Sequence, residues 1–313
     1  MMDGMIEVTK KEGGKNLLFI YNPKAGKGKI KKHLFDIIDI FSHAEYALTV
    51  SPTKCPGDAC NIVKQCDKNF YDLIVCSGGD GTLNDVVAGM AQSEKKIPIG
   101  YIPAGSTNDF ARSLGLSNDM VTAAKDILKG NVFSYDVGRF NDQAFVYIAA
   151  FGLFTEVSYA TDQNLKNTLG HMAYILKGAR SLPSIKAYHI SIESKEFSAE
   201  GNFIYGMITN SYSVGGFKNI TGKDIKLDDG EFEVTLIRRP SCLSELNSIV
   251  TSLLTHRMDS SCIYTFKTSQ LKVKSKEEIC WTLDGEFGGA HKAVLIHNEQ
   301  KKLSFLVNTV VNK

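Results

Sequence analysis

The sequence predicts an α/β protein in which a mostly parallel α/β domain (residues 1–138) is followed by a β-rich, antiparallel domain of sandwich type (residues 139–313). Two observations predict this division. Between residues 16 and 137, short apolar runs alternate with amphipathic segments, whereas after about residue 138 most apolar runs follow one another directly. Strand–helix alternation is typical of a parallel sheet with helices on both faces, and consecutive strands are typical of an antiparallel sheet.

The first domain is predicted from four apolar runs and three amphipathic segments. The runs predict strands at residues 17–21, 46–50, 73–76 and 99–102, and the segments predict helices at 31–41, 58–66 and 83–90. In the first helix, the apolar residues expected to face the core are Leu34, Phe35, Ile37, Ile38 and Phe41. Ligands of such sheets bind outside the carboxyl ends of the strands, so the segments that follow strands one, three and four are expected to gather at one edge.

The second domain is predicted to contain six strands and one helix. The strands are expected at residues 144–154, 189–193, 203–209, 231–237, 271–274 and 293–297, and the helix at about 168–180. A final apolar segment, residues 302–307, can return to the sheet of the first domain.

Composition excludes several classes of protein. A net charge of +2 argues against a nucleic-acid partner, and 43% hydrophobic with 22% charged residues is typical of a globular chain. The seven cysteines are scattered without a CxxC pair, which favours free thiols in a reducing compartment. The start of the chain has no apolar core of signal-peptide length, and the longest apolar run, residues 144–154, is too short to span a membrane. We therefore expect a cytoplasmic protein.

The strongest chemical signal is the glycine turn at residues 77–85, SGGDGTLND, which directly follows a predicted strand and opens a helix. Glycines let the backbone approach a phosphate, and a helix N-terminus offers it unpaired N–H groups. Asp80 would repel that phosphate unless a cation such as Mg²⁺ lay between them. Alternatively, the segment is a tight turn with Asp80 as a helix cap. Neither the dinucleotide fingerprint nor the P-loop motif fits this segment.

Two further turns carry weaker signals of the same kind. After strand one, the segment NPKAGKGK (residues 22–29) places lysines at a helix start, where a bound anion would relieve the unfavourable macrodipole interaction. The alternative is that these lysines simply reach solvent. After strand four, the segment PAGSTNDFAR (103–112) begins a helix on which Asp109 and Arg112 can pair, although a simple capped helix would also explain it.

In this order and spacing, the NPKAGKGK, GGDGT and PAGSTNDFAR segments resemble the bacterial diacylglycerol kinase family, which includes the YegS-like lipid kinases. Sphingosine and ceramide kinases share its catalytic domain. GGDGT alone is only moderately specific, because phosphofructokinases and NAD kinases have a similar turn. The late Asp284-Gly285-Glu286 motif makes the resemblance specific, and it extends over residues 16–310.

The resemblance implies a set of site residues. Asp80 and Glu286 would be catalytic, with Glu286 as the general base, although from sequence alone Glu286 fits a solvated position beside a DG hairpin turn. The polar network around the metal and phosphates would contain Lys27, Asp109, Arg112, Asp136 and Asp284. A structural Mg²⁺ would be held by the Asp229 carboxylate and the carbonyl oxygens of Lys226 and Glu231. The ATP site would consist of Asn22, Pro23, Lys24, Ala25, Gly26, Thr53, Gly79, Asp80, Gly81, Thr82, Leu83, Asn84, Asp85 and Ser106.

The resemblance also implies the reaction and its partners. ATP and Mg²⁺ would bind in a cleft between the domains, and a lipid hydroxyl, that of diacylglycerol first, would enter from the second domain. The helix at about 168–180 carries lysines that fit peripheral contact with the inner membrane surface or, equally, a solvated helix face. Thr221-Gly222 stands where relatives often have Ala-Pro, just before the Mg²⁺ loop. Other lipids, a soluble substrate such as NAD, a catalytically silent nucleotide-binding module and a homodimer all stay open.

Overall fold

The computed structural model describes residues 14–106, 108–153, 176, 185–214, 217–218, 225–255, 257 and 259–308. The expected helix at 168–180, apart from Leu176, and the Thr221-Gly222 segment lie outside the described residues. The first part of the chain alternates strands and helices: β1 (Lys15–Tyr21), α1 (Ile30–His43), β2 (Tyr46–Pro52), α2 (Asp58–Gln65), β3 (Leu73–Gly78), α3 (Asp80–Ala91), β4 (Ile99–Pro103), α4 (Asp109–Ser113) and α5 (Met120–Lys129).

The four strands of this part form a parallel sheet in the order β2-β1-β3-β4. Helices cover both faces. On one face, side chains of α1 and α5 pack against β1, β3 and β4, and on the other, side chains of α2 and α3 pack against the same strands. The carboxyl ends of β1, β3 and β4 therefore meet at one edge, which is where the three glycine-containing segments begin.

The inward orientation predicted for Phe35 is wrong, because its side chain is 84% exposed. Ile30, Ile37 and Phe41 are fully buried and form the core stripe of α1. At about 100° per residue, position 35 lies roughly 140° around the helix from Ile30, outside that stripe.

The rest of the chain is mostly antiparallel. It contains β5 (Asn131–Phe140), β6 (Gln143–Phe145), β7 (Ile148–Gly152), β8 (Tyr188–Glu193), β9 (Ser198–Thr209), β10 (Ser213–Val214), β11 (Phe217–Lys218), β12 (Phe232–Arg238), α6 (Leu243–Thr255), β13 (Ile263–Thr268), β14 (Gln270–Leu283) and β15 (Glu286–Val307). A second core lies under these strands, with Trp281 packed between Phe140 and Phe151.

One sheet of 13 strands runs through both parts, in the main order β13-β12-β9-β7-β14-β15-β4-β3-β1-β2. The strand that joins them is β15. Its first half pairs with β14, its second half, from Ile296 to Val307, pairs with β5, and Phe305 pairs in parallel with Ile99 of β4. The predicted mixed α/β class is confirmed, and the division at residue 138, which falls inside β5, stays a prediction.

Several element boundaries differ from the sequence prediction. The helix expected at 83–90 begins three residues earlier, at Asp80, so the glycine turn is itself the first helical turn. The run at 144–154 forms two strands, β6 and β7, and the segments at 293–297 and 302–307 belong to one strand, β15. Helices α5 and α6 and strands β5 and β13 were not predicted.

Candidate active site

The three glycine-containing turns lie against one another at the carboxyl edge of the parallel sheet. Asn22 N–H donates to the Ser77 carbonyl at 2.8 Å, and Ala104 N–H donates to the Gly78 carbonyl at 2.7 Å. The turn after β1 approaches so closely that a Cβ at Gly26 would collide with the Ala104 carbonyl oxygen. The predicted turns therefore form a single surface made largely of backbone.

The turns after β3 and β4 are in equally close contact. A Cβ on Gly105 would lie 2.7 Å from the Gly79 Cα, so a side chain at position 105 would separate them. Gly79 is the N-cap of α3, and its carbonyl accepts the N–H groups of Thr82 and Leu83 at 3.1 and 3.2 Å. The Thr82 hydroxyl accepts a hydrogen bond from Asn22 Nδ2 at 3.3 Å, which joins the first and second turns.

The neighbouring expected nucleotide residues lie around this surface. Asp85 Oδ2 accepts the Gly57 N–H at 2.9 Å, which fixes the start of α2 against α3, and the Thr53 N–H donates to the Tyr21 carbonyl at 2.8 Å. Burial raises the pKa of Asp85, and the nearby Glu286 carboxylate raises it further. Asn84 Oδ1 is buried with no hydrogen-bond partner among the residues described. This acceptor fits a hydroxyl or amine donor of a nucleotide.

The remaining expected residues at this edge are more exposed. Lys24 N–H donates to Asn22 Oδ1 at 2.9 Å, and Ala25 begins a short 3₁₀ turn. Half-buried Pro23 precedes them. The exposed members of the set are Lys24, Lys27, Ser106 and Arg112. A cavity of about 540 Å³ opens beside this turn, with Gly26, Lys27, Lys29 and Lys32 in its lining.

Asp80 is half-buried and points at the start of α4. Its carboxylate accepts the N–H groups of Asp109 and Phe110 at 3.3 and 3.4 Å. Burial and the nearby buried Asp109 carboxylate raise the pKa of Asp80 to about 6, against the lowering effect of the backbone N–H groups. Two carboxylates close together in a poorly solvated place suit a divalent cation, since carboxylate oxygens are the ligands that Mg²⁺ prefers.

Glu286 lies close to the first turn of α3. A Cβ on Gly81 would be 2.9 Å from Glu286 Oε1, so this carboxylate sits over the first turn of α3. Glu286 is the first residue of β15, directly after the hairpin that connects β14 to β15. The two hairpin residues, Asp284 and Gly285, have φ angles of 52° and 87°, as a two-residue hairpin turn with left-handed residues requires.

Asp284 is almost fully buried, with 6% of its surface exposed. Its carboxylate accepts three consecutive backbone N–H groups, from Val146 at 2.7 Å, Tyr147 at 2.9 Å and Ile148 at 3.0 Å. Burial, with a smaller contribution from the Asp80 carboxylate, raises the pKa of Asp284 to about 7, although the three N–H groups act to lower it. Asp284 was expected in the network around the phosphates, and the structure places it behind Glu286, bonded to the 146–148 backbone.

Sequence reasoning did not find Tyr147. This side chain is 7% exposed, and its hydroxyl donates to the Asp284 carbonyl oxygen at 3.1 Å. Burial raises the pKa of Tyr147, and the nearby carboxylates of Asp80, Asp284 and Asp109 raise it further. Tyr147 lies inside an apolar run and carries no motif, so no local sequence signal marks it.

Asp136 is fully buried at the base of the expected metal loop. Its two oxygens accept the N–H groups of Gly230 at 2.7 Å and Lys301 at 2.6 Å, which ties the loop to β15. Burial raises the pKa of Asp136, and these two hydrogen bonds lower it. The Asp136 carboxylate therefore connects the backbone of the loop to that of β15, and the Asp136 carbonyl accepts a hydrogen bond from Asn210 Nδ2 at 3.1 Å.

Asp229 is held by its own loop and by a lysine. Its Oδ1 accepts the Glu231 N–H at 3.1 Å, and its Oδ2 lies 3.7 Å from Lys267 Nζ. The Glu231 carbonyl accepts a hydrogen bond from Asn298 at 3.2 Å, and Lys226 is exposed. No group of three or more His, Cys, Asp or Glu side chains is placed to bind a metal in the part of the chain that the structure describes.

The charges around Asp229 nevertheless suit a cation. Lys267 Nζ also lies 3.3 Å from Oε1 of Glu233, which is 2% exposed, and Glu233 Oε2 has no hydrogen-bond partner within the described ranges. Burial raises the pKa of Glu233 to about 7, and Lys267 lowers it. Two carboxylates share one ammonium group, so the donor set keeps an excess of negative charge.

Comparison with known proteins identifies the family. Residues 16–140 match the model of the diacylglycerol kinase catalytic domain. A diacylglycerol kinase of Bacillus subtilis (strain 168) is 37% identical over 278 residues, which cover 88% of this chain and 91% of that protein. The chain belongs to the diacylglycerol kinase family. A diacylglycerol kinase of Staphylococcus aureus (strain MRSA252) is 35% identical over 303 residues, or 96% of this chain and 95% of that one.

Solved structures share the fold of this chain. The crystal structure of a diacylglycerol kinase from Bacillus anthracis str. Sterne has a TM-score of 0.75 at 23% identity and covers 96% of this chain and 100% of that chain. Another crystal structure from the same strain reaches a TM-score of 0.82 at 25% identity, with 99% and 100% covered. The family resemblance, the fold class and the expected class of enzyme, a kinase that uses ATP, are confirmed.

Within the ranges described, no helix has the length and apolar character needed to cross a lipid bilayer.

Proposed function

We propose that this diacylglycerol kinase family member transfers the γ-phosphoryl group of ATP to a lipid hydroxyl, and that diacylglycerol is the lipid, giving phosphatidic acid. The observation that carries the proposal is the position of the Glu286 carboxylate over Gly81. A carboxylate opposite a glycine turn at a helix N-terminus puts a proton acceptor next to a backbone surface that suits phosphates. Phosphoryl transfer needs this arrangement more than it needs covalent chemistry.

The nucleotide phosphates would lie on the three packed turns, with the backbone around Gly26, Gly79 and Gly105 as their cradle. The absence of side chains at these positions lets the turns touch, and lets a phosphate approach the backbone. Asp80 and Asp109 would hold the Mg²⁺ that accompanies the nucleotide. When bound, this ion neutralises charge on the phosphate oxygens.

The transfer step requires a proton acceptor for the lipid hydroxyl. Glu286 would take that proton while the hydroxyl oxygen bonds to the γ-phosphorus and the bond from this phosphorus to the bridging β–γ oxygen breaks, leaving ADP. Glu286 is exposed, so the hydroxyl of an entering substrate could reach its carboxylate. General-base catalysis of this kind typically contributes about 10² to 10⁴ in rate.

The loop around Asp229 would bind a metal ion. Asp229, with carbonyl oxygens of Lys226 and Glu231, would hold a second, structural Mg²⁺, since its surroundings keep an excess of negative charge. The division into a nucleotide domain (residues 1–138) and a lipid domain (139–313) would place the reaction between them. The protein would be cytoplasmic and act at the inner membrane surface, from which the lipid is drawn.

A labelled-ATP assay against a panel of lipids tests the substrate. Transfer of label to diacylglycerol in mixed micelles, at least tenfold faster than to sphingosine, ceramide or phosphatidylglycerol, is the expected result. Faster transfer to another lipid would replace diacylglycerol and keep the lipid kinase. Transfer to NAD but to no lipid would contradict a lipid substrate, and nucleotide binding without transfer to any acceptor would indicate a silent binding module.

A further inference from the structure

Several hydrogen bonds to Asp284 connect the hairpin that precedes Glu286 to the adjacent segment at residues 146–148. Three consecutive N–H groups, from Val146, Tyr147 and Ile148, donate to the Asp284 carboxylate at 2.7 to 3.0 Å. In return, the Asp284 N–H donates to the Ile148 carbonyl at 2.8 Å. We call residues 146–148 the amide row.

Tyr147 adds a second hold on the same residue. Its backbone N–H reaches the Asp284 carboxylate, and its hydroxyl reaches the Asp284 carbonyl oxygen at 3.1 Å. The hydroxyl also lies beside the turn, 3.9 Å from where a Cβ on Gly285 would be. The Tyr147 ring is 7% exposed, so packing fixes it in this place.

The hairpin turn itself does not require a buried carboxylate. Asn-Gly forms the same two-residue turn, and it avoids the cost of burying a charge. What the carboxylate adds here is a tie between the turn and the amide row. Because Glu286 comes two residues after Asp284, this tie limits where the Glu286 carboxylate can lie.

We propose that Asp284 is a positioning residue for phosphoryl transfer and that, together with Tyr147, it holds the hairpin so that the Glu286 carboxylate stays over Gly81. The inference rests on the proposed function, in which Glu286 is the base. Neither Asp284 nor Tyr147 touches the reacting atoms in this role. A displacement of the base by about 1 Å can cost about 10² in rate, so a tie of this kind has a measurable effect.

Two substitutions test the tie. Asp284→Asn keeps the shape of the side chain but turns one of its two accepting oxygens into an NH₂ group that faces N–H donors. Tyr147→Phe removes only the hydroxyl. We expect kcat to fall about 10- to 100-fold for Asp284→Asn and about 3- to 10-fold for Tyr147→Phe, with the KM for ATP unchanged within about twofold.

Glu245→Gln is the matched control. Glu245 accepts the Ser241 N–H at 2.6 Å and pairs with Arg238 at 3.1 Å, so this variant loses the same kind of contact at the start of α6. It should keep wild-type kcat even if its melting temperature falls. A fall in kcat without a rise in KM indicates a positioning role. The Glu245→Gln variant shows how much kcat changes through a general loss of stability.

The outcomes distinguish this inference from the proposed function. If Asp284→Asn fails to fold, Tyr147→Phe decides. Wild-type kcat in folded Tyr147→Phe and Asp284→Asn, with Glu286→Gln inactive, would overturn the positioning role alone. Decreases in kcat of Asp284→Asn and Tyr147→Phe no larger than that of Glu245→Gln would also overturn the positioning role. Wild-type kcat in Glu286→Gln would overturn the assignment of the base and, with it, the tie that depends on that base.

Discussion

Gly81 and Glu286, far apart in the chain, face each other so closely that a Cβ at position 81 would lie 2.9 Å from the Glu286 Oε1 atom. One belongs to the first turn of α3, at the edge of the parallel sheet, and the other to the start of β15. The glycine therefore leaves the space that this carboxylate occupies.

Gly81→Ala should lower activity without weakening the fold. The added methyl group would push the flexible end of the Glu286 side chain away from the turn, so we expect kcat to fall about tenfold or more. Alanine is favoured over glycine in a helix by about 1 kcal/mol, so the melting temperature should not fall. Gly201→Ala is the control, since among the described residues a Cβ there meets only Phe203, at 3.9 Å. Equal activity of the two variants would contradict the arrangement.

Glu286→Gln should lower kcat by about 10² to 10⁴, because the amide keeps the shape but cannot take up a proton at neutral pH. ATP binding should change little, since the nucleotide would lie on the turns at Gly26, Gly79 and Gly105. Steady-state kinetics and direct measurement of ATP affinity separate the two effects. If more than about a tenth of wild-type kcat remained, the base would lie elsewhere. Lost ATP binding would instead put Glu286 in the nucleotide site.

Asp80→Asn should abolish most activity and stabilise the metal-free protein at pH 8. Burial and Asp109 raise the pKa of Asp80 to about 6 in the folded protein, above its value in the unfolded chain. The folded state then binds this proton more tightly than the unfolded chain does. Protonated Asp80 therefore stabilises the fold at low pH, and this contribution to the free energy of unfolding is lost as the pH rises through about 6. Asparagine carries no charge to bury, so the stability of the variant should exceed that of the wild type by most at pH 8.

The measurement is the melting temperature of wild type and Asp80→Asn between pH 5 and pH 8, in the absence of divalent cations. The stability gained by the variant should grow with pH. The hydrogen bonds that Asp80 accepts from the N–H groups of Asp109 and Phe110 are long, at 3.3 and 3.4 Å, so the effect of losing them should be small. A gain that is constant from pH 5 to pH 8, or a loss at pH 8, would contradict the raised pKa.

Asp229→Ala tests the structural Mg²⁺. If this carboxylate holds an ion linked to the fold, added Mg²⁺ should raise the melting temperature of the wild type and leave that of the variant unchanged. Asp228→Ala is the neighbouring control, because the Asp228 contact recorded with Gln300 uses its backbone carbonyl, which the variant keeps. An equal response to Mg²⁺ in Asp229→Ala would remove Asp229 from the ligands.

The sequence predicted the parallel part of the fold well because each strand and helix there has a local pattern. The 73–76 run is fully buried, and the glycine turn follows it directly, so both could be read from neighbouring residues. Strand β15 was split in two because its polar stretch, residues 297–302, resembles a loop. The structure keeps this stretch in the strand with a register shift between Glu299 and Leu303.

The site was predictable where a motif marks it and not elsewhere. Asp80 and Glu286 stand in recognisable segments, and the packing of the three turns follows from the order of the parallel strands. Tyr147 contacts Asp284, and Lys267 contacts Asp229, but each pair is far apart in the sequence and meets only in the folded chain. The exposure of Phe35 shows the same limit, because an apolar residue off the core stripe looks like a core residue in sequence.

Strand β15 has a consequence for how the molecule melts. It begins with Glu286 and ends with residues paired to β4 and β5, so one continuous backbone connects the cleft to the parallel sheet. Detaching this strand would leave two sheets with open edges and would expose the apolar core around Phe305 to water. Heat should therefore denature both parts in one cooperative transition, although the chain is large enough for two independent folding units.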